Sequence, residues 1–399
     1  MTHDGATSPF AAIACGGTGG HLFPGLAVAE QLAKRGCEVA LLISPKEVDQ
    51  QAVKSASGMQ IVTLPAVALQ GGRRIAFLRG FVQSYRASNK LFRQRPPQAV
   101  LAMGGFTSAP PVLAARKSGA QTFLHESNTI PGRANRWLSR VADQAFVGFP
   151  QAAAHLHTRN VTVTGTPVRS QFQRRDPAVC RVALGFDPAR PLVLVMGGSQ
   201  GASGVNAAVL QALPLLAKCS PDLQGLHLSG PNDVEKLKQA YAAQNLRALV
   251  HPFFAEMELA LGAATVAISR AGASSLAELA AMRVPSVLLP FPSAADNHQF
   301  HNARAFEETG AARLLEQKSA TPEKLARLVS ELIENAAACE AMQAALARWH
   351  APKAAEQIAE QMISAVAWST DSRVRACECG CGHSRPRSDV TRRQNFSTA

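Results

Sequence analysis

Short apolar runs alternate with longer amphipathic segments over most of the chain. In the first half, the runs that predict strands are residues 10–15, 38–43, 60–64, 98–103, 121–125 and 144–147. The plan returns after residue 191, with strands predicted at 192–196, 225–229, 248–252, 265–269 and 285–290. Because helical segments separate these runs, the pattern predicts parallel sheets covered by helices, which is the α/β fold class.

A glycine-rich turn follows the first predicted strand of each half. The sequences are ACGGTGGHLFPG at residues 14–25 and VMGGSQGASGVN at residues 195–206. Each turn opens a helical segment, so backbone N–H groups and a helix dipole converge on one point and favour an anion there. Neither turn fits the Walker or the strict G-x-G-x-x-G pattern. The second predicted strand ends in Ser44 and Pro45, where a dehydrogenase would place an acid.

The length of 399 residues predicts two domains. We place the join in the polar stretch 164–188, which gives an N-terminal domain at 1–165 and a C-terminal domain at 166–368 that ends in helices. Residues 369–399 lack apolar periodicity and predict a disordered tail. Since open α/β sheets bind ligands at the carboxyl ends of their strands, two such domains face to face predict a deep cleft between them.

Cysteine usage and hydropathy indicate a reduced, aqueous compartment. Most cysteines stand singly in apolar segments, where a thiol serves as a small core residue. Cys377, Cys379 and Cys381 precede His383 at a spacing unlike that of structural zinc sites, so an unstructured tail is favoured over a metal site. No segment reaches the ~20 apolar residues of a membrane span. The N-terminus also lacks the basic region of a signal peptide, which favours the cytoplasm.

Positive charge is concentrated in the first half. The net charge is +13, and residues 51–125 contain no Asp or Glu. At helical periodicity, one stripe of cations lies beside an apolar band. The stripe comprises Arg79, Arg86, Lys90 and Arg93, and the band comprises Ile75, Leu78, Phe81, Val82, Tyr85 and Phe92. Such a helix can pack its band in the core, or it can lie at anionic headgroups. The aromatic content of 6% and the lack of a recognition motif argue against nucleic acid.

Polar residues follow several predicted strands. His21 ends the first turn, where the helix dipole favours a neutral imidazole that could act as a base or simply cap the loop. The loop HESN at 125–128 opens the cleft, and GTPVR at 165–169 brings an arginine that could pair with a diphosphate. Glu278 could accept both hydroxyls of a ribose. Asp296, His298, Gln299 and Asn302 offer donors and acceptors suited to a sugar.

Together these motifs resemble the MurG family, the N-acetylglucosaminyltransferases of peptidoglycan synthesis. The segments that carry the resemblance are GGTGGHLFPGLAVAEQL, MGGFTSAP, HESN, GTPVR, GGSQGASGVN, SRAGASSLAELA and PFPSAADNHQFHNA, in the family's order and spacing. The resemblance implies a GT-B fold, in which two Rossmann-like domains face each other across a deep cleft. It also implies inverting transfer of GlcNAc from UDP-GlcNAc to the 4-hydroxyl of MurNAc in undecaprenyl-pyrophosphoryl-MurNAc-pentapeptide (lipid I), which forms lipid II.

The resemblance further implies roles for individual residues. His21 and Glu126 are candidates for activating the acceptor hydroxyl. The implied substrate contacts are Thr18, Gly19 and Gly20 near the donor diphosphate and acceptor, Asn128 at a sugar, Arg169 and Ser199 at the diphosphate, Phe254 at uracil, Ala273 and Ser274 at the donor, Glu278 at the ribose and Gln299 at the GlcNAc hydroxyls. No Asp-x-Asp signature is present, so we expect that no metal or other cofactor is required.

The implied partners are UDP-GlcNAc, lipid I, anionic phospholipids and cell-wall synthesis proteins, with the protein peripheral on the cytoplasmic face of the inner membrane. Three features depart from the family pattern: Phe106 and Thr107 replace a common tyrosine-valine pair, Ser127 replaces a frequent glutamine, and the cysteine-rich tail is additional. Phe106 removes one possible hydroxyl from the site. The alternatives are a UDP-sugar epimerase, a glycosyltransferase with another lipid acceptor, and a noncatalytic nucleotide-sugar or membrane-surface binding protein.

Overall fold

The computed structural model describes residues 8–53, 58–66, 74–197 and 203–378. It contains one parallel sheet in each half of the chain. The N-terminal sheet consists of β1 (Phe10–Ala14), β2 (Glu38–Ile43), β3 (Gln60–Thr63), β4 (Ala99–Ala102), β5 (Gln121–Glu126), β6 (Gln144–Val147) and β7 (Val161–Val163). Its helices are α1 (Gly19–Lys34), α2 (Glu47–Ala52), α3 (Arg74–Gln94), α4 (Ala109–Lys117) and α5 (Arg133–Leu138).

The C-terminal half repeats this plan after α6 (Pro177–Ala183). Its strands are β8 (Leu192–Met196), β9 (Gln224–Leu228), β10 (Ala248–His251), β11 (Val266–Ser269), β12 (Ser286–Leu288) and β13 (Arg313–Leu314). Its helices are α7 (Ser203–Cys219), α8 (Val234–Ala243), α9 (Met257–Ala263), α10 (Ala273–Met282), α11 (His298–Glu308), α12 (Pro322–Glu334), α13 (Ala336–Trp349) and α14 (Ala354–Glu378).

The two sheets share one topology. Their strand orders are β3-β2-β1-β4-β5-β6-β7 and β10-β9-β8-β11-β12-β13. In each sheet the first strand lies at the point where the order reverses, which is where open α/β sheets bind ligands. Along β1, Phe10 and Ala12 belong to one buried core cluster while Ala11 and Ile13 belong to another, so both faces of the sheet are covered. The predicted GT-B architecture of two doubly wound domains is confirmed.

The last helix differs from its predicted position. Helix α14 packs on the N-terminal domain, because Ile358, Ala359 and Met362 are buried in the same core cluster as β1 and α1. Gln361 also receives a hydrogen bond from Gln144 Nε2 of β6 at 2.5 Å. The predicted division at residue 368 therefore assigns this helix to the wrong half. The helix also continues to Glu378, past the predicted start of the tail at 369, since no Gly or Pro interrupts residues 354–378.

The basic helix α3 is confirmed as a helix, but Phe92 is the one member of the predicted apolar band that is fully buried. The buried stripe consists of Gly80, Ser84, Ser88 and Phe92, which recur every fourth residue. Ile75 and Leu78 are instead 86% and 62% exposed, and Val82 is exposed as well. Small residues on the inner face allow α3 to approach α4 closely, and the large apolar side chains of the first turns remain on the surface.

The structure also contains elements that the sequence pattern did not predict, namely α2, α6, β7 and β13. These elements are short, so they carry too few residues for a periodicity to be recognised. Helix α6 lies inside the predicted join, where the Asp176 side chain accepts a hydrogen bond from Ala178 N at 2.8 Å and Pro177 occupies the first turn.

Candidate active site

The candidate residues lie at the carboxyl ends of the two sheets and meet across the cleft between the domains. Ser274, at the start of α10, donates from its hydroxyl to the Gly20 carbonyl of α1 at 3.0 Å. The guanidinium of Arg169 lies 4.2 Å from the ring centroid of Phe23 in α1 and 3.9 Å from Glu278 Oε1 in α10. The structure therefore brings Gly20, Arg169, Ser274 and Glu278 to one place.

The first glycine turn is already bound to a carboxylate of the protein. Gly17, at φ +117°, donates its N–H to Asp49 Oδ2 at 2.6 Å. The Thr107 hydroxyl donates to the Gly16 carbonyl at 2.6 Å, and Phe106 lies against Gly17. The expectation that this turn offers its amides to a substrate anion is therefore wrong for Gly17. Thr18 remains exposed at the start of α1.

His21 is packed against the Gly104–Gly105 turn, where an added Cβ on either glycine would lie 3.1 Å from the imidazole. Its Nδ1 is buried and has no hydrogen-bond partner among the described residues. Burial lowers the pKa of His21 below its ordinary value of 6.5, while the charges of Glu126 and Asp49 and the backbone of Met103 oppose that shift. A neutral imidazole can accept a proton, so the role of His21 as the base stays a prediction.

Glu126 is buried and its carboxylate is fully occupied. Oε1 accepts from Asn128 N at 2.8 Å and from Asn128 Nδ2 at 3.0 Å. Oε2 accepts from Gly132 N and Asn135 Nδ2, both at 3.0 Å. All these donors belong to the loop after β5 or to α5, so Glu126 shapes that loop. Because no lone pair is left for a substrate hydroxyl, the geometry does not support the hypothesis that Glu126 is a base.

Asn128 and Asn302 join the two domains. Asn302 in α11 accepts from the Thr129 N–H and hydroxyl, both at 2.9 Å. Its amide donates to Asn128 Oδ1 at 3.0 Å and to the Ala271 carbonyl at 3.1 Å. Asn302 was expected to offer its amide to a sugar, but all four of its hydrogen bonds are made within the protein. Asn128 likewise uses both ends of its side chain internally in this structure.

His125 and Ser127 also have structural roles. His125 is buried, which lowers its pKa to about 4, so the ring is neutral. Its Nε2 donates to the Gly165 carbonyl at 3.1 Å, and its Nδ1 accepts from the Ser127 hydroxyl at 3.2 Å. The side chains of the polar loop at 125–128 therefore serve mainly to hydrogen-bond to one another.

The carboxylate of Glu278 in the C-terminal domain differs from those of the N-terminal domain. Glu278 makes no hydrogen bond within the described part of the chain, and the 3.9 Å approach of Arg169 is its ion pair. Burial raises the pKa of Glu278 to about 7, although Arg169 lowers it, and Glu258 adds to the increase. The Arg169 Nε is itself buried without a partner among the described residues. Both groups are thus available to a ligand with hydroxyl or phosphate oxygens.

The remaining predicted contacts surround this pair or lie outside the described residues. Gln299 Oε1 accepts from Phe291 N at 3.0 Å, and its amide N–H groups have no partner in the part of the chain that the structure describes. Asp296 forms an ion pair with Arg136 of α5, and His298 Nδ1 donates to the Ala295 carbonyl at 2.8 Å. Ala273 is buried, and Phe254 lies half-buried beside His251. Ser199 falls outside the described residues, as do Cys379, Cys381 and His383.

Two further observations concern metals and membranes. Among the described residues, no group of three His, Cys, Asp or Glu side chains is arranged to hold a metal ion. Over the same residues, no helix combines the length and the apolarity needed to cross a bilayer. The expectations about cofactors and membrane attachment remain predictions.

Two family models match the two domains in order. The glycosyltransferase family 28 N-terminal domain matches residues 11–147, and the glycosyltransferase family 28 C-terminal domain matches residues 192–361. The chain belongs to glycosyltransferase family 28. It is therefore a glycosyltransferase, as the sequence motifs predict.

Relatives and solved structures agree with this placement. The chain is 36% identical over 366 residues to the UDP-N-acetylglucosamine--N-acetylmuramyl-(pentapeptide) pyrophosphoryl-undecaprenol N-acetylglucosamine transferase of Anaeromyxobacter dehalogenans, which covers 89% of this chain and 92% of the relative. The transferase of the same name from Syntrophus aciditrophicus is 34% identical, with coverages of 89% and 98%. The crystal structure of Acinetobacter baumannii MurG is 28% identical, with a TM-score of 0.70 over 90% of this chain and 99% of that chain.

A UDP-N-acetylglucosamine 2-epimerase structure also superposes, with a TM-score of 0.66, 13% identity, and coverages of 91% and 98%. At this identity the similarity shows a shared fold and nothing about the reaction.

Among the residues at the cleft, Asp49 was missed from the sequence. The available signal was the position after β2, where α/β nucleotide-binding domains place an acid, but Asp49 stands beyond Ser44 and Pro45. Its role depends on α2, which the periodicity did not predict.

Proposed function

We propose that this family 28 enzyme transfers GlcNAc from UDP-GlcNAc to the 4-hydroxyl of MurNAc in lipid I, with inversion at the anomeric carbon, and so forms lipid II. The observation that carries the proposal is the similarity to the Anaeromyxobacter transferase, 36% identical over 89% of this chain. The arrangement of the cleft supports the proposal. The N-terminal domain offers the neutral imidazole of His21, and the C-terminal domain offers the carboxylate of Glu278, which has no hydrogen bond among the described residues, beside Arg169.

The reaction is an in-line displacement. The acceptor hydroxyl forms a bond to the anomeric carbon of GlcNAc as the bond to the UDP phosphate oxygen breaks, and the hydroxyl proton passes to His21. His21 suits this role because burial keeps it neutral and its Nδ1 has no partner among the described residues. Glu126 acts through the loop that it shapes and through its charge, which favours the imidazolium that forms.

The donor is held by the C-terminal domain. We assign Glu278 to the ribose hydroxyls and Arg169 to the diphosphate, where preformed donors stabilise the charge that develops on the departing UDP. Ser199 is assigned to the same diphosphate by the motif GGSQG. Phe254, Ala273, Ser274 and Gln299 complete the donor site, and no metal ion is needed for this arrangement of contacts.

We also propose that the protein binds the membrane surface through α3. The exposed side chains of Ile75, Leu78 and Val82 support this proposal, and the cationic stripe of Arg79, Arg86, Lys90 and Arg93 is exposed on the same helix. Apolar side chains would enter the headgroup region of the cytoplasmic leaflet while the cations contact anionic phospholipids. This surface would bring the cleft to a lipid-linked acceptor.

The activity is tested by measuring UDP release from UDP-GlcNAc with and without a lipid I analogue, with the product identified by mass. We expect release that depends on the analogue and yields a disaccharide lipid. UDP release without the analogue, together with formation of a free epimerised sugar, would instead indicate a 2-epimerase. Binding of UDP-GlcNAc without turnover would indicate a nucleotide-sugar binding protein.

The membrane surface is tested by flotation with vesicles that contain or lack anionic phospholipid. The double variant Ile75→Ser, Leu78→Ser should lose most of its vesicle binding, while its Km for UDP-GlcNAc stays unchanged. The matched control is Val179→Ser, Val182→Ser on α6, which removes apolar side chains that are 65% and 59% exposed. Equal losses for the two double variants would contradict the assignment to α3.

A further inference from the structure

Thr107 is a buried residue that the proposed reaction does not use. It lies in the turn at residues 103–108, between β4 and α4, which we call the β4 turn, and its side chain is fully buried. Its hydroxyl donates to the Gly16 carbonyl of the first glycine turn at 2.6 Å. This hydrogen bond joins two turns that lie 91 residues apart in the chain.

The hydrogen bond fixes one end of a single peptide unit. The Gly16 carbonyl and the Gly17 N–H belong to the same peptide unit, and that N–H donates to Asp49 Oδ2 at 2.6 Å. Because a peptide unit is planar, the two hydrogen bonds together determine its orientation. Gly17 requires this support, since a glycine at φ +117° has many other backbone conformations open to it.

The same two turns enclose the imidazole of His21. A Cβ on Gly104 would lie 3.1 Å from His21 Cε1. A Cβ on Gly105 would lie 3.1 Å from His21 Cδ2 and 3.5 Å from the Gly16 carbonyl oxygen. The imidazole therefore packs on the β4 turn, and the β4 turn packs on the first glycine turn. The spacing between the two turns determines how tightly the imidazole is held.

We propose that Thr107 is a positioning residue for the proposed base. Its hydroxyl holds the β4 turn against the first glycine turn and so keeps the imidazole of His21 in the orientation that receives the acceptor proton. The inference rests on the proposed function, because it concerns the base of that reaction.

The physical reason is the difference between a hydroxyl and a methyl group. Valine has the shape of threonine but no donor, so the Gly16 carbonyl would lose its partner in Thr107→Val. A methyl carbon also stays about 3.3 Å or more from a carbonyl oxygen, whereas the hydroxyl lies at 2.6 Å. On its other side Gly16 contacts the end of β2, because a Cβ there would lie 2.3 Å from Ser44 N. The displacement therefore falls on the β4 turn and on the imidazole that packs against it.

The experiment compares the full-length wild-type enzyme with Thr107→Val and with Thr107→Ser, which keeps the hydroxyl. The matched control is Thr122→Val, which removes an equally buried hydroxyl from the same domain. Thr122 Oγ1 donates to Asp143 Oδ2 at 2.8 Å, at the opposite end of β5 from Glu126. For each protein we measure kcat, both Km values, the pH–rate profile and the melting temperature.

We expect Thr107→Val to lower kcat about tenfold, because a small misplacement of a reacting group is costly, and to change the Km for UDP-GlcNAc by less than about twofold. Thr107→Ser should restore kcat to within about threefold of the wild type. Both valine variants should lower the melting temperature by similar amounts, because each loses one buried hydrogen bond. The kcat of Thr122→Val should nevertheless stay within about twofold of the wild type.

The pH–rate profile separates positioning from a general loss of stability. Burial lowers the pKa of His21. The charged and titratable groups that face His21 are Glu126 and His125 of β5, Asp49 of α2 and His298 of α11. Thr107→Val changes none of them, but it admits water to the imidazole as the turns separate. The pKa of His21 should therefore rise toward 6.5, and the acidic limb of kcat/Km for the acceptor should move to higher pH. The limb should not move in Thr122→Val.

An unchanged kcat and an unshifted acidic limb in Thr107→Val would overturn the inference, and so would an equal loss of kcat in Thr122→Val. If Thr107→Val does not fold, Thr107→Ala decides by the same measurements, since it removes the donor without placing a methyl group against the Gly16 carbonyl. A wild-type enzyme that transfers no GlcNAc to a lipid I analogue would instead contradict the proposed function, and an unchanged kcat in His21→Ala would contradict the assignment of the base. Failure of the two proposals can therefore be told apart.

Discussion

The carboxylates of the two domains are treated in opposite ways. In the N-terminal domain, Glu126 accepts four hydrogen bonds from its own loop, and Asp49 Oδ2 accepts three from the turn and the end of β2. In the C-terminal domain, Glu278 has no hydrogen bond among the described residues and is approached by Arg169 at 3.9 Å. A carboxylate whose oxygens already accept hydrogen bonds organises the protein, whereas a buried carboxylate without hydrogen bonds is available to a ligand.

The proposed function gives the two domains different tasks, and this difference fits them. The acceptor side is held in one geometry before any substrate arrives, which favours proton transfer at a fixed nitrogen. The donor side keeps a buried carboxyl with a raised pKa, and the hydrogen bonds of a ligand compensate for its burial. Because burial raises the pKa of Glu278, its charged form lowers the stability of the folded protein.

The largest effect is expected at His21, the proposed base, which lies in the domain whose carboxylates accept hydrogen bonds from the protein. His21→Ala should lower kcat by about 10²–10⁴-fold, because proton transfer by a positioned group contributes that much, and should leave the Km for UDP-GlcNAc nearly unchanged. In the wild type, kcat/Km for the acceptor should fall as the pH falls through the lowered pKa of His21, since the protonated imidazole cannot accept a proton. An unchanged kcat in the variant would exclude His21 as the base.

Glu126→Gln replaces the carboxylate that accepts four hydrogen bonds from its own loop and α5. One oxygen becomes an amide nitrogen that faces N–H donors, so at least one pair of hydrogen bonds is lost at a cost of about 2–4 kcal/mol in the free energy of unfolding. The charge that raises the pKa of His21 is also lost, so the acidic limb of the pH profile should move to lower pH. Urea unfolding and pH–rate profiles measure the two effects separately. A stable variant with an unshifted profile would contradict the role of Glu126.

Glu278→Gln tests whether the carboxylate that makes no hydrogen bond among the described residues binds the donor. The Km for UDP-GlcNAc should rise about tenfold with kcat nearly unchanged, because ribose contacts hold ground and transition states alike. In the wild type, that Km should fall between pH 6 and 8, as the carboxyl ionises near its pKa of about 7. A normal Km in the variant would argue against the ribose assignment.

For the same variant we expect weaker donor binding but higher stability of the folded protein. The folded pKa of Glu278 lies above its ordinary value of 4.5, so the folded state binds more protons than the unfolded state between these values, and stability declines as the pH rises. Glu278→Gln removes that decline and should raise the melting temperature at pH 8 relative to the wild type. Equal melting temperatures at pH 8 would mean that the carboxylate is not a stability cost.

The smallest effect is expected where the two sides are joined. Asn302→Leu leaves Asn128 Oδ1 and the Thr129 N–H without partners, so the loop after β5 should lose its register with the donor domain. We expect kcat to fall several-fold, while the affinity of the variant enzyme for UDP in the absence of acceptor stays the same. Arg136→Gln removes an exposed ion pair across the same cleft and serves as the control; a matching fall in kcat would indicate general loosening.

The sequence predicted the fold well because both sheets consist of continuous apolar runs with glycine turns at their ends. It also predicted that Glu278 lies near Arg169 at the cleft, since Glu278 stands in a helix that follows a strand and a turn; its contact with the ribose stays a prediction. Asp49 was missed because its meaning depends on a one-turn helix and on which way a side chain points. Glu126 was predicted as a candidate base, because the sequence cannot show that four donors from its own loop surround it.

The packing of α14 on the N-terminal domain has a consequence for how the chain folds. Ile358, Ala359 and Met362 complete a core whose first strand begins at Phe10. During synthesis, the first domain therefore emerges long before the helix that covers one of its faces, and it must wait for nearly the whole chain. The final contacts join the two ends of the sequence, so folding of the first domain is completed last, and loss of the C-terminal helix would expose the core of the N-terminal half.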